Sequence, residues 1–143
     1  MGQARMSIES LRRSPLNNKQ SLLLKDEATE RYISIYIGES EANSIRKILT
    51  KPNAPKERDP SLEEIDFKTS RLKSIIIDRF VDNVFYTKLI IERDNKCHEL
   101  RCQTGKAIVL ALRQGAPILI DEVVLNRAEL NSVFGRGIKS KEG

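Results

Sequence analysis

Glu99–Ile120 reads ELRCQTGKAIVLALRQGAPILI, and it joins a strand, an apolar helix and a second strand in one supersecondary unit. Thr104 offers a capping hydroxyl to a helix whose apolar positions Ala107, Ile108, Ala111 and Leu112 recur at helical spacing. Gly115 followed by Pro117 supplies the stop, and Ile118, Leu119 and Ile120 then read as a short buried strand.

Working back from this unit, Leu72–Phe80, Val84–Glu92 and Lys96–Cys102 alternate as strands, with turns at Asp82-Asn83 and Asp94-Asn95, and predict an antiparallel meander. Further upstream, Ser21–Lys25, the polar turn Asp26–Thr29 and Arg31–Ile37 predict a hairpin, with Ile33, Ile35 and Ile37 on one face and Tyr32, Ser34 and Tyr36 on the other. Gly38 ends that strand and Ser40 can cap a helix that places Ala42, Ile45 and Leu49 on one side. Glu39 and Glu41 lie at its positive end, and Arg46, Lys47 and Lys51 near its negative end. Pro52, Pro55 and Pro60 mark a connecting loop, after which Ser61 and Glu64 form a capping-box pattern for a second helix over Ser61–Ser70. A last helical turn is expected around Asn126–Ser132. Grouped strands and helices of this kind predict an α+β domain with a mostly antiparallel sheet and three helices. Residues 21–134 form the domain in this reading, between flexible basic tails at 1–20 and 135–143.

Composition limits the chemistry. The 143 residues suffice for one domain with a modest core, no apolar run approaches the length of a membrane span, and the start of the chain has no secretory apolar region, so a cytoplasmic location is the default. The net charge is +5, but Arg5, Arg12, Arg13 and Lys19 against Glu9 leave residues 1–20 three charges positive, while Arg136, Lys139 and Lys141 against Glu142 leave 135–143 two positive. Residues 21–134 are formally neutral, so composition alone gives the core no bias toward a polyanion. Cys97 and Cys102, five apart on one strand, point to opposite faces, which argues against a disulfide or a shared metal. His98, the sole histidine, lies about 13 Å along the strand from Cys102, too far to share a metal ion with it. For nucleic-acid binding, Tyr86 and Lys88 share one face of their strand, opposite Phe85 and Thr87, and make one small aromatic-basic patch.

Taken together, LLLKDE at 22–27, RYISIYIG at 31–38 with Glu41-Ala42, IIIDRF at 75–80, VFYTKLII at 84–91 and AIVLALRQGAPI at 107–118 resemble, in order and spacing, the bifunctional nuclease family of bacteria and plants. The resemblance covers Ser21–Leu130. It implies hydrolysis of RNA or DNA, with Mg²⁺ or Mn²⁺ as the accompanying cation and Glu41 as the candidate catalytic acid. Where the family carries its DARPSDA segment this chain reads RCQTGKA, so that Arg101 and Lys106 stand at acidic positions. The alternative is a non-catalytic binding or assembly module, in which Arg101, Thr104, Gly105 and Lys106 take an anionic ligand at the start of a helix. Thr104-Gly105-Lys106 is no nucleotide loop, since the upstream glycine is missing and Ala107 stands where a hydroxyl would meet Mg²⁺. Asp78, Glu92, Asp121 and Glu122 are further acids at strand ends. A homo-oligomer is expected in either case, to cover sheet edges.

Overall fold

The computed structural model describes residues 2–14, 19–50 and 69–129. They form seven strands and three helices in the order β1 (Gln3–Arg13), β2 (Gln20–Asp26), β3 (Tyr32–Ile37), α1 (Glu39–Thr50), β4 (Arg71–Val81), β5 (Val84–Arg93), β6 (Lys96–Cys102), α2 (Thr104–Gln114), β7 (Ile118–Asp121) and α3 (Glu122–Ala128). All seven strands share one sheet, ordered β3-β2-β1-β7-β4-β5-β6, in which only the β4–β7 pair is parallel. The class is α+β, as the alternation predicted.

The hairpin and the meander form as read. Asp82, Asn83, Asp94 and Asn95 all have positive φ (53°, 65°, 55° and 63°), which is what a two-residue hairpin turn with the twist of its strands requires of both central residues. The expected tail at 1–20 needs correction. Gln3–Arg13 is an eleven-residue strand inserted between β2 and β7, with Ala4 and Met6 buried opposite Ile120 and Ile118. Its apolar residues at 4, 6, 8 and 11 are diluted by Arg5, Ser7, Glu9 and Ser10, whose side chains take the other face or the bulge between Ile8 and Ser10. The basic charge of this segment therefore belongs to the folded sheet. The helix expected over 61–70 and the tail at 135–143 fall mainly or wholly outside the described residues, and the last helix begins at Glu122, ahead of its predicted start.

α2 organises the core. Ala107, Ile108, Val109, Leu110 and Ala111 are all buried, five in succession, so the helix is enclosed around its whole circumference. They belong to one buried cluster with Ala4, Met6, Leu22, Leu24, Ile33, Ile35, Ile75, Ile77, Leu89, Ile118 and Ile120, together with Ile45 of α1 and Leu125 of α3. α2 packs on β4 and β5 near one edge of the sheet and also on β3 at the other edge. A sheet whose two margins touch the same helix is strongly bent. Its long strands carry the bends as bulges: one in β1 between Ile8 and Ser10, and two in β4, at Leu72–Ser74 and Ile77–Arg79. Gly115, in the left-handed region at φ 69°, closes α2 by directing its N–H to the Ala111 carbonyl.

A second tie holds α3 to the β2–β3 turn. The Arg31 guanidinium donates to Asp26 (3.1 Å), Glu122 (2.9 Å) and Asn126 (2.6 Å), joining residues nearly a hundred positions apart. Burial by itself would raise the Asp26 pKa. Hydrogen bonds from the Ala28 N–H, the Thr29 hydroxyl and Arg31, with the Arg31 charge, outweigh it and hold the carboxyl below its ordinary value.

Two outcomes follow from these contacts. Deleting residues 1–13 removes an interior strand, and the shortened chain is expected to lose its cooperative urea unfolding transition, followed by circular dichroism. Because the native Asp26 pKa is depressed, its contribution is complete above about pH 4 and fades as pH falls through the lower native value. The stability advantage of the wild type over Asp26→Asn should therefore shrink on acidification below about pH 4, measured by urea denaturation across that range.

Candidate functional site

The N-termini of α1 and α2 meet at one end of the enclosed helix. A cleft of ≈ 700 Å³ opens there, lined by the end of β3 with Gly38 and Glu41, by the start of β5, and by Arg101 to Lys106. This volume falls within the roughly 300–1,000 Å³ of small-ligand sites. Glu41, Thr104, Gly105, Lys106 and Arg101, from segments sixty residues apart, all line it.

Their local structure differs from the sequence expectation in instructive ways. α1 starts at Glu39, and the Gly38 carbonyl accepts from the Ala42 N–H at 2.9 Å, so Gly38 rather than Ser40 stands at the cap. The Glu41 carboxylate folds back over Gly38, where an added Cβ would lie 2.5 Å from Oε1. Its negative charge thus sits at the positive end of its own helix. α2 is capped by Gln103, whose side chain makes no capping hydrogen bond, while the Ala107 N–H reaches the Gln103 carbonyl at 2.8 Å. By helix geometry the N–H groups of Thr104, Gly105 and Lys106 have no intrahelical acceptor.

Thr104 does not cap α2. Its buried hydroxyl donates to the Phe85 carbonyl (3.0 Å), and since a hydroxyl has one proton, the 2.8 Å contact with Thr87 must be Thr87 donating to Thr104. This chain of two hydroxyls pins the first residue of α2 to β5 and commits the Thr104 hydroxyl to partners within the fold. Gly105 serves close approach: a Cβ there would lie 3.2 Å from Glu41 Cγ and 3.3 Å from Ile37 Cγ2. The glycine lets the first turn of α2 reach β3 and α1 together.

Arg101 is committed elsewhere. It stands opposite Lys88, on the outer face of the sheet, and its guanidinium grips Asp78 through two hydrogen bonds of 2.7 and 2.8 Å. Asp78 is released from the regular register by the second β4 bulge, and Lys88 lies 4.0 Å from it and 3.2 Å from Glu99. This cross-strand row explains the arginine as the counter-charge of Asp78. Lys106 is half-buried at the cleft and is the cation left on the α2 end.

The divalent cation implied by the resemblance does not fit these donors. Mg²⁺ and Mn²⁺ favour oxygen ligands, usually carboxylates. The cleft lining supplies one carboxylate, Glu41, beside Lys106 and Arg101, and no group of three His, Cys, Asp or Glu side chains suited to a metal occurs among the described residues. Of the other acids, Asp121 accepts from Gln3 and Glu122 from Arg31, while Glu92 pairs with Arg71. Cys97 and Cys102 are not joined in a disulfide, and His98 is exposed.

Sequence reasoning overlooked Tyr36, which lines the cleft and is 70 % exposed, and saw only half of a pair in Tyr86, 43 % exposed on the same cleft. Lys19 lies over the first ring at 5.3 Å and Arg79 over the second at 5.7 Å. The available signal was parity: Tyr36 and Tyr86 both take the polar alternation of strands whose other positions are buried.

Replacing Thr104 by Val leaves the Thr87 hydroxyl and the Phe85 carbonyl without their partner. The expected loss is about 1–3 kcal/mol of unfolding free energy, checked by urea denaturation, with Thr87→Val showing a smaller loss.

The bifunctional nuclease domain model matches residues 22–132. Two proteins of Mycobacterium tuberculosis, the uncharacterized protein Rv1829 of strain H37Rv and the uncharacterized protein MT1877 of strain CDC 1551, are each 31 % identical to this chain over 132 residues, covering 91 % of it and 77 % of the relative. The match begins at β2 and ends past α3, enclosing the cleft and both helix ends that form it. The chain belongs to the bifunctional nuclease domain family.

Proposed function

We propose that this protein binds the phosphate groups of RNA or DNA in the cleft at the α2 N-terminus, as a binding domain of its family that holds a nucleic acid without cleaving it. The observation that carries this reading is the uncapped start of α2. Three backbone N–H groups without an intrahelical acceptor, the positive end of an eleven-residue helix and the Lys106 ammonium belong to residues that line one open cleft. Gly105 lets Glu41 and Ile37 pack close against the first turn of α2, and the Thr104 hydroxyl ties the helix to β5. In this reading Thr104 and Gly105 contribute N–H groups, Lys106 contributes charge, and Arg101 stays on Asp78.

Family membership favours a second reading, hydrolysis of RNA or DNA with Glu41 as the acting carboxylate. The lack of a second carboxylate beside Glu41 in the cleft weighs against it. Cys97 and Cys102 of strand β6, which are not joined in a disulfide, agree with action in the cytoplasm.

Filter binding of labelled RNA and DNA oligomers tests the proposal. Lys106→Glu should weaken binding about tenfold or more and lower the slope of log affinity against log salt by about 1. Glu41→Gln removes a negative charge beside the phosphate and should tighten binding. Intact oligomer after long incubation with Mg²⁺ or Mn²⁺ is expected. Turnover that disappears in Glu41→Gln would establish the second reading instead, and unchanged affinity in Lys106→Glu would dismiss the α2 end as the site.

A further inference from the structure

We infer that the ligand of this cleft is a single-stranded nucleic acid, whose unpaired bases lie on the rings of Tyr36 and Tyr86 while its phosphates meet the neighbouring cations. The inference rests on the cleft reading above and adds the class of strand that the cleft selects.

Among the described residues, six large apolar or aromatic side chains stand exposed, and three of them, Tyr36, Val84 and Tyr86, line this one cleft. Neither phenol contributes to the core. Tyr36 alternates with the buried Ile35 and half-buried Ile37, and Tyr86 stands between Phe85 and the buried Thr87. Strands ordinarily carry polar residues at such positions, so two exposed rings bordering one opening suit a ligand with flat apolar faces.

Charge narrows the choice. Each ring carries a cation, Lys19 at 5.3 Å from the centre of Tyr36 and Arg79 at 5.7 Å from that of Tyr86, and Lys106 lines the same cleft as the two rings. Alternating flat rings and cations complement a chain of alternating bases and phosphates. An uncharged peptide or lipid surface would use the rings and leave the cations unmatched. A double helix would use the cations only, because its bases are already stacked on one another and shielded from side-chain rings.

The test measures fluorescence anisotropy of short labelled oligo-dT and oligo-U, a DNA duplex of equal length, and labelled polyphosphate, which has the charge without the bases. The wild type should bind the single strands more tightly than the duplex. Tyr36→Ala and Tyr86→Ala should each lower single-strand affinity about tenfold and leave polyphosphate affinity unchanged, whereas Tyr36→Phe and Tyr86→Phe retain the wild-type value. Tighter duplex binding, or equal losses for oligomer and polyphosphate in the alanine variants, would overturn the inference. So would oligomer binding that falls in Lys106→Glu but is untouched in both alanine variants, and in that case the cleft reading survives alone. Oligomer and polyphosphate binding both indifferent to Lys106→Glu would remove the cleft reading and this inference with it.

Discussion

The enclosure of α2 is the constraint from which the rest of the structure follows. A helix apolar on every side cannot rest on a flat sheet, because half of its surface would remain in water. The sheet therefore bends until β3, at one margin, and β5, near the other, both reach it, with α1 and α3 closing the gaps. Five consecutive buried positions, Ala107 to Ala111, leave no solvated stripe on the helix. Burying an aliphatic side chain of this size contributes about 1.5–3 kcal/mol, so Ile108, Val109 and Leu110 together weigh heavily in a domain of marginal stability.

Enclosure also fixes where a ligand can approach. A helix surrounded on its sides presents only its ends, and here the C-terminal end is closed by Gly115 while the N-terminal end opens on the cleft. The polar groups around that opening have divided their tasks. Glu41 answers the positive end of α1, the Thr104 hydroxyl anchors α2 to β5, and Arg101 answers Asp78 on the outer face. Gly105 and Lys106, at the start of α2, line the opening. Of the two acidic family positions that are basic in this chain, one has become part of an ion-pair row and the other stands at the mouth of the site.

Much of the fold was legible in the chain because short-range rules govern it. The Asp-Asn turns, the alternation of Ile33, Ile35 and Ile37 and the Gly115 stop require only neighbours to decide them. β1 was missed because its pattern is interrupted by a bulge and one of its two partners, β7, is far away in sequence. Local composition gave the weight to its arginines. The site was half legible: Glu41 and Thr104 to Lys106 were singled out and do line one cleft. The roles of Thr104 and Arg101 depended on Phe85, Thr87 and Asp78, contributed by other strands, and Tyr36 and Tyr86 come to line one cleft only in the folded sheet. Sequence periodicity records which face a residue takes and is silent on which distant face it will meet.

The place of β1 has a consequence for how the molecule assembles. Its partner β7 is near the other end of the described chain, with Gln3 and Asp121 in contact across 118 positions. The β2–β3 hairpin and the β4–β6 meander can form from nearby residues as they leave the ribosome, but within the sheet the two halves join through β7, which emerges late. Until then the first strand has its β2 edge satisfied and its other edge bare. Joining such distant segments is entropically slow, and a half-built sheet with an open apolar edge is the species most exposed to mispairing with a neighbouring nascent chain.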